Sequence, residues 1–181
     1  MTDLQAPRSF ERTSRRAWGA SLLTLGAAWA LRPGLARATV AVGAMAPDIA
    51  LPECTVAARL SDLRGRLVYL DFWASWCAPC RLSFPWMTEL QRRHGPRGLQ
   101  VVAVNLDVRR ADADAFLARH PPGFAVAFDP RGVSAETFGA RAMPSSVLID
   151  AEGRVRGTHR GFRLEDAAML EAKVVAALPP R

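Results

Sequence analysis

Apolar residues along this chain gather into short, dense runs separated by turn-forming residues, the pattern of strands buried on both faces. Leu67–Trp73 is the clearest run, interrupted only by Asp71. Leu99–Leu106 repeats it around Val101, Val102, Ala103 and Val104, and Phe124–Phe128 is a shorter version. Ser145–Ile149 and Val155–Arg160 flank the turn Asp150-Ala151-Glu152-Gly153 and predict a hairpin. Helices are predicted from Cys77 to about Arg93, over Ala111–Arg119, and from Ser134 to near Gly139. Pro85 falls inside the first and should kink it; Pro121-Pro122-Gly123 stops the second. A last helix, Leu164–Leu178, places Leu170, Val174 and Leu178 four apart on its inner face. Ahead of all these, Thr39–Pro47 reads as irregular lead-in and Ser61–Gly65 as a turn. Ile49–Leu51 and Arg59–Leu60 predict a short hairpin around Cys54.

Strands that alternate with helices and end in a hairpin imply an α/β fold, a mixed central sheet with helices on both faces and an N-terminal β-hairpin extension. No repeat, low-complexity stretch or linker divides residues 39–181, which read as one domain. The first core strand delivers the chain to Cys77 at its carboxyl end, the edge where open α/β sheets place their sites.

The first 38 residues read as an address. Arg8, Arg12, Arg15 and Arg16 precede the uncharged stretch Ala17–Leu31, and Ala36-Arg37-Ala38 is a small-x-small cleavage pattern. Together these make a secretory signal peptide. The apolar stretch is shorter than the ~20 residues of a membrane span, and an uncleaved, tilted anchor is the alternative. Ser14-Arg15-Arg16-Ala17-Trp18 also resembles a twin-arginine export signal. An extracytoplasmic, periplasm-like location follows, with membrane contact only if the leader stays attached.

Charge changes little else. Six arginines against Asp3 and Glu11 belong to the leader, which leaves +3 of the overall +7 on residues 39–181. The remaining arginines are scattered without aromatic interleaving, so nucleic acid is not an expected partner.

The chemistry is concentrated in Trp76-Cys77-Ala78-Pro79-Cys80. Cysteines three apart on a new helix share one face at roughly 5–6 Å between Cβ atoms, close to disulfide spacing. At a helix N-terminus, unpaired N–H groups and the helix dipole favour a thiolate at Cys77. Such a pair is a reversible two-electron switch needing no cofactor beyond the Cys77–Cys80 disulfide. Zinc would want four ligands; no second CxxC exists, and His94, His120 and His159 are isolated. Ala78-Pro79 tunes the pair: Pro79 fits the first helical turn and stiffens the loop. Asp71 shares a strand face with Leu67, Tyr69 and Trp73. An unpaired carboxylate there should have a raised pKa and can take the Cys80 proton as a general base. The alternative is an Asp71 paired with a nearby Arg or Lys. Cys54, the third cysteine, reads as a free thiol.

Asp71-Phe72-Trp73-Ala74-x-Trp76-Cys77-x-Pro79-Cys80 resembles the active-site signature of the thioredoxin superfamily. Ala46-Pro47-Asp48, Leu60–Gly65, Met143-Pro144 and Leu148-Ile149-Asp150-x-x-Gly153 extend the likeness to the exported TlpA/ResA-type branch, over about residues 45–178. The resemblance implies the thioredoxin fold and dithiol–disulfide exchange, with Cys77 as nucleophile and Cys80 as resolving thiol. It also implies a cis bond before Pro144 that brings the Met143 backbone opposite the thiols for substrate contact. Trp76 would shield the thiols and meet partners, while Trp73 belongs to the core. Two positions depart from the branch. Asp71 stands where many such chains have asparagine, and Ser83 where many have glutamate.

The expected activity is reduction of protein disulfides. The expected partners are disulfide-containing clients and a membrane thiol electron donor; the resemblance implies apocytochrome c, the cysteine copper sites of oxidase assembly or oxidised secreted proteins as clients. The competing reading is a non-catalytic module that binds copper or a client through Cys77, Cys80 and Met143. Peroxide reduction ranks last, because no Pro-x-x-x-Thr-x-x-Cys motif follows Ala46-Pro47-Asp48.

Overall fold

A computed structural model describes residues 40–180; the leader, with its signal-peptide, anchor and twin-arginine readings, lies outside the described residues. The five predicted strands form one sheet: β1 (Leu67–Trp73), β2 (Leu99–Asn105), β3 (Ala125–Phe128), β4 (Ser145–Ile149) and β5 (Val155–Arg160). Their order is β3-β2-β1-β4-β5. β1 runs parallel to β2 and antiparallel to β4, and the hairpin partners β4 and β5 close the sheet. The helices are α1 (Ala78–His94), α2 (Arg110–Arg119), α3 (Val133–Phe138) and α4 (Ala167–Ala177).

Strand alternation divides the core in two. Val68, Leu70 and Phe72 of β1 pack with Val102, Val104, Ala135 and Phe138 on the α3 face. Leu67, Tyr69 and Trp73 pack with Cys77, Cys80, Phe84, Phe116 and Val174 on the face covered by α1, α2 and α4. Both faces of β1 are therefore dry, which explains its nearly unbroken apolar run. Trp73 is fully buried against Phe84 and Phe116, with ring centroids 4.8 Å away in each case. Pro85 sits inside α1 without ending it.

The N-terminal hairpin extension is smaller than the sequence suggests. Its two segments meet at one antiparallel bridge, Ala50 with Arg59, rather than a ladder, and Leu60–Leu63 turns into a 3₁₀ helix. The reason lies in local carboxylates. Asp62 accepts the backbone N–H groups of Ala58 and Arg59, and Asp48 accepts that of Ser61. Asp62 thus takes the Ala58 N–H that would complete the hydrogen-bonded pair with Leu51, whose own N–H donates to Ala58 C=O at 2.8 Å. The last predicted helix is also divided: Leu164–Asp166 is a 3₁₀ turn leading into α4.

Candidate active site

The chain leaves β1 at Trp73 and turns at once into α1. Cys77 is the N-cap residue, extended at φ −79° and ψ 106°, and Pro79 occupies the first helical turn. Three helix N–H groups at such a terminus lack helical acceptors. One of them, Cys80 N–H, donates to Cys77 Sγ at 3.2 Å. The sulfur thus receives a backbone donor where negative charge would develop. Cys77 and Cys80 are joined as a disulfide with Cα atoms 5.3 Å apart. Cys77 is the less buried of the two, at 3% exposure against 0% for Cys80. Trp76 projects into solvent at 70% exposure beside them.

Opposite elements complete the surroundings. The Met143–Pro144 bond is cis, with Pro144 buried and Met143 half-buried against the cluster that contains both cysteines. Pro144 C=O accepts from Gly161 N–H at 2.8 Å, and Ser145 Oγ donates to Ala142 C=O at 2.6 Å. Ser83 is buried and caps no charge; its hydroxyl donates to Cys80 C=O at 3.1 Å. Cys54 is half-buried as a free thiol, packed on the α3 side of the sheet.

Asp71 lies on the α1 face of β1 and is 2% exposed. Its Oδ2 atom is buried without a hydrogen-bond partner, so the Arg or Lys pairing considered from sequence does not form at that oxygen. Burial alone holds its carboxyl well above the usual carboxylate range. Tyr69, two residues earlier on that face, is pushed up by burial and by the Asp71 charge.

The structure adds three residues that the sequence reading missed. Asp107, at the carboxyl end of β2, accepts from Ser75 N–H at 2.9 Å, Ser75 Oγ at 3.0 Å and Asn105 Nδ2 at 2.7 Å. Its own N–H donates to Asn105 Oδ1 at 3.0 Å. Ser75 sits two residues before Cys77, so this network fixes the loop that leads into Cys77. The available signal was a pair of polar residues closing an apolar strand at the site-bearing edge. Asp107→Ala should destabilise the protein by on the order of 2 kcal/mol, read by urea unfolding. Wild-type stability in that variant would show the network to be idle.

Among the described residues, no three His, Cys, Asp or Glu side chains converge as a metal site. A reversible dithiol at the head of a helix, on the central strand of a mixed sheet and beside a cis-proline, defines a thioredoxin-fold disulfide oxidoreductase. The Redoxin family profile matches residues 41–176, and the chain belongs to that family. It is a thiol–disulfide oxidoreductase of the ResA/DsbE type. It is 33% identical over 121 residues to the thiol-disulfide oxidoreductase ResA of Geobacillus thermodenitrificans, covering 66% of this chain and 70% of the relative. A candidate thiol:disulfide interchange protein DsbE from Chlorobium tepidum, known as a crystal structure, is 50% identical with TM-score 0.74. That match covers 77% of this chain and 99% of the other. A candidate protein disulfide isomerase from Bacteroides thetaiotaomicron, a solution structure, is 27% identical with TM-score 0.69, over 77% of this chain and 91% of that one.

Proposed function

We propose that this oxidoreductase works outside the cytoplasm as a reductase of protein disulfides, fed with electrons by a membrane thiol donor. One observation carries the direction: the Cys77 sulfur receives a single hydrogen bond, from Cys80 N–H, among the described residues. Ala78 and Pro79 between the cysteines bring no donor side chain, and Pro79 has no N–H. Strong oxidants owe their potential to a stabilised reduced form, and a thiolate with one donor is only modestly stabilised. Its dithiol gives electrons up.

Cys77 as thiolate attacks one sulfur of a client disulfide, and the other client sulfur leaves as a thiolate. Cys80 then loses its proton to the Asp71 carboxylate and attacks Cys77 Sγ. That step breaks the mixed disulfide, releases the second client thiolate and closes the Cys77–Cys80 bond. Two electrons have passed to the client. The raised pKa of Asp71 makes its carboxylate the stronger base for this transfer. The Met143 backbone beside Pro144 and the exposed Trp76 ring receive the extended client segment. The branch resemblance points to apocytochrome c, oxidase copper-site proteins or oxidised secreted proteins as clients, and the basic leader with its small-x-small site supports export.

The test is the reduction potential of the Cys77–Cys80 pair, by equilibration against defined thiol–disulfide buffers. A value near that of thioredoxin, about −270 mV, is expected. A value near about −120 mV would make the protein an oxidant, and failure to form the disulfide at all would favour a copper- or client-binding module.

A further inference from the structure

Each turn of the proposed cycle leaves a proton on Asp71, a side chain only 2% exposed, on the same side of the sheet as Cys80 and Trp73, both at 0% exposure. The sheet register shows what lies beside it. Asp71 pairs with Ser146 of β4, and Ser146 pairs with His159 of β5. Directly paired residues put their side chains on one face, so Asp71, Ser146 and His159 form a transverse row beneath α1 and α4. On β2 the row continues only as Ala103, which has nothing to offer a proton.

The row ends at a cavity. A space of about 300 Å³ lies between α4 and the β4–β5 hairpin, lined by Tyr69, Ser146, Gly157 and His159 from the sheet and by Lys173 from α4. That volume holds several waters, at a share of about 30 Å³ each in the liquid. The polar atoms around it are incompletely used. Tyr69 OH donates to Ser146 Oγ at 2.8 Å. A serine hydroxyl that accepts one bond still has a proton to give and a second lone pair. Asp71 Oδ2, His159 Nε2 and Trp86 Nε1 are all buried without a hydrogen-bond partner. Trp86 stacks edge-on to Tyr69, with ring centroids 5.5 Å apart. His159 Nε2 stands 3.6 Å from the Asp166 carboxylate, too far for a hydrogen bond. Three orphaned polar groups around one pair of hydroxyls, next to a cavity of this size, mark a hydrated passage.

We propose that this cavity is the proton exit of the buried acid, with Ser146 as the relay between Asp71 and cavity water. The inference rests on the general-base role given to Asp71 above. Because Asp71 Oδ2 has no protein partner, a cavity water bridges it to Ser146: the Asp71 carboxyl O–H bond breaks as its proton passes to that water, the water passes a proton to Ser146 Oγ, and the Ser146 hydroxyl proton passes to the next water in the cavity. That water hands its extra proton to bulk solvent past His159. Asp71 is left as carboxylate and Ser146 as the neutral hydroxyl, ready for the next cycle. Tyr69 acts as a positioning residue, because its hydrogen bond fixes the Ser146 hydroxyl. The titratable or charged groups about this path are Tyr69 on β1, the two cysteines on α1, Arg156 and His159 on β5, Asp166 before α4, and Lys173 on α4.

The test is hydrogen–deuterium exchange of the protonated Asp71 carboxyl, followed by its infrared C=O band after transfer of the full-length reduced protein into heavy water over a pH series that starts at about 4, the ordinary carboxylate value. Asp71→Asn assigns the band. Ser146→Ala removes the relay. Gly157→Leu plugs the passage without touching it, since a Cβ at Gly157 meets open space and that residue shares the face of Tyr69 through Leu148. Exchange slowed by about tenfold or more in both variants is expected, within the range proton-transfer groups contribute. Parental exchange rates in either variant overturn the proposal, as does the absence of any band that Asp71→Asn removes. Parental protein that exchanges through the cavity but fails to reduce a model protein disulfide would defeat the reductase reading and leave the proton passage intact.

Discussion

Cys80→Ser is expected to turn the oxidoreductase into a trap. Cys77 keeps its place at the head of α1 and attacks a client disulfide, but no second sulfur is held in reach to release it. Turnover should fall by at least about 10³-fold, because a positioned internal thiol acts at effective molarities that reach ~10⁵ M. Covalent adducts should accumulate on non-reducing gels and dissolve in excess reductant. Cys77→Ser should give neither turnover nor adduct. Cys54→Ser should leave both unchanged, since Cys54 packs on the opposite face of the sheet. Adducts that persist in Cys77→Ser and vanish with Cys54→Ser would show that the wrong sulfur has been given the chemistry.

Asp71→Leu should make the folded protein more stable at neutral pH. The folded-state pKa of Asp71 is raised by burial, so the native state holds its proton more tightly than the unfolded chain does. Between the ordinary carboxylate pKa and the raised value, stability falls as pH rises, by about 1.4 kcal/mol per pH unit. Below about pH 4 both states are protonated and the penalty is absent. The gain from Asp71→Leu should therefore be largest at and above neutrality and shrink towards pH 4, in urea titrations at several pH values. A gain independent of pH would show that repacking, rather than charge burial, is responsible. The same variant should slow client release, which would place the cost of the buried acid alongside its chemical use.

Much of the architecture was readable because it follows from local periodicity. The strand at Leu67–Trp73 stood out since both faces of β1 are buried, and strand alternation put Asp71 on the correct side without any knowledge of its neighbours. The cysteine spacing and the adjacent proline were enough to mark the head of α1, where Cys77 serves as the cap. What escaped depended on contacts distant in sequence or on competition between side chain and backbone. The segments around Cys54 have strand-like composition, yet Asp62 claims the Ala58 N–H that a ladder would need. Asp107 becomes meaningful only once β2 lies beside β1 and delivers its carboxylate to Ser75. Ser146 reads as an ordinary strand serine until the register places it opposite Asp71.

The central place of β1 has a consequence for the order in which the protein can be made. Its neighbours arrive late: β2 begins at Leu99 and β4 only at Ser145, whereas all three cysteines lie within residues 54–80. As synthesis proceeds from the N-terminus, every thiol is available before Pro144 and the strand that follows it, with Ser146, exist. During that interval Cys54 is a competitor for either partner, because nothing yet separates it to the far side of a sheet, although closing the longer loop costs more chain entropy. Correct pairing is thus a product of completed topology rather than of spacing alone, and the nascent chain is best kept reduced until its last hairpin has closed.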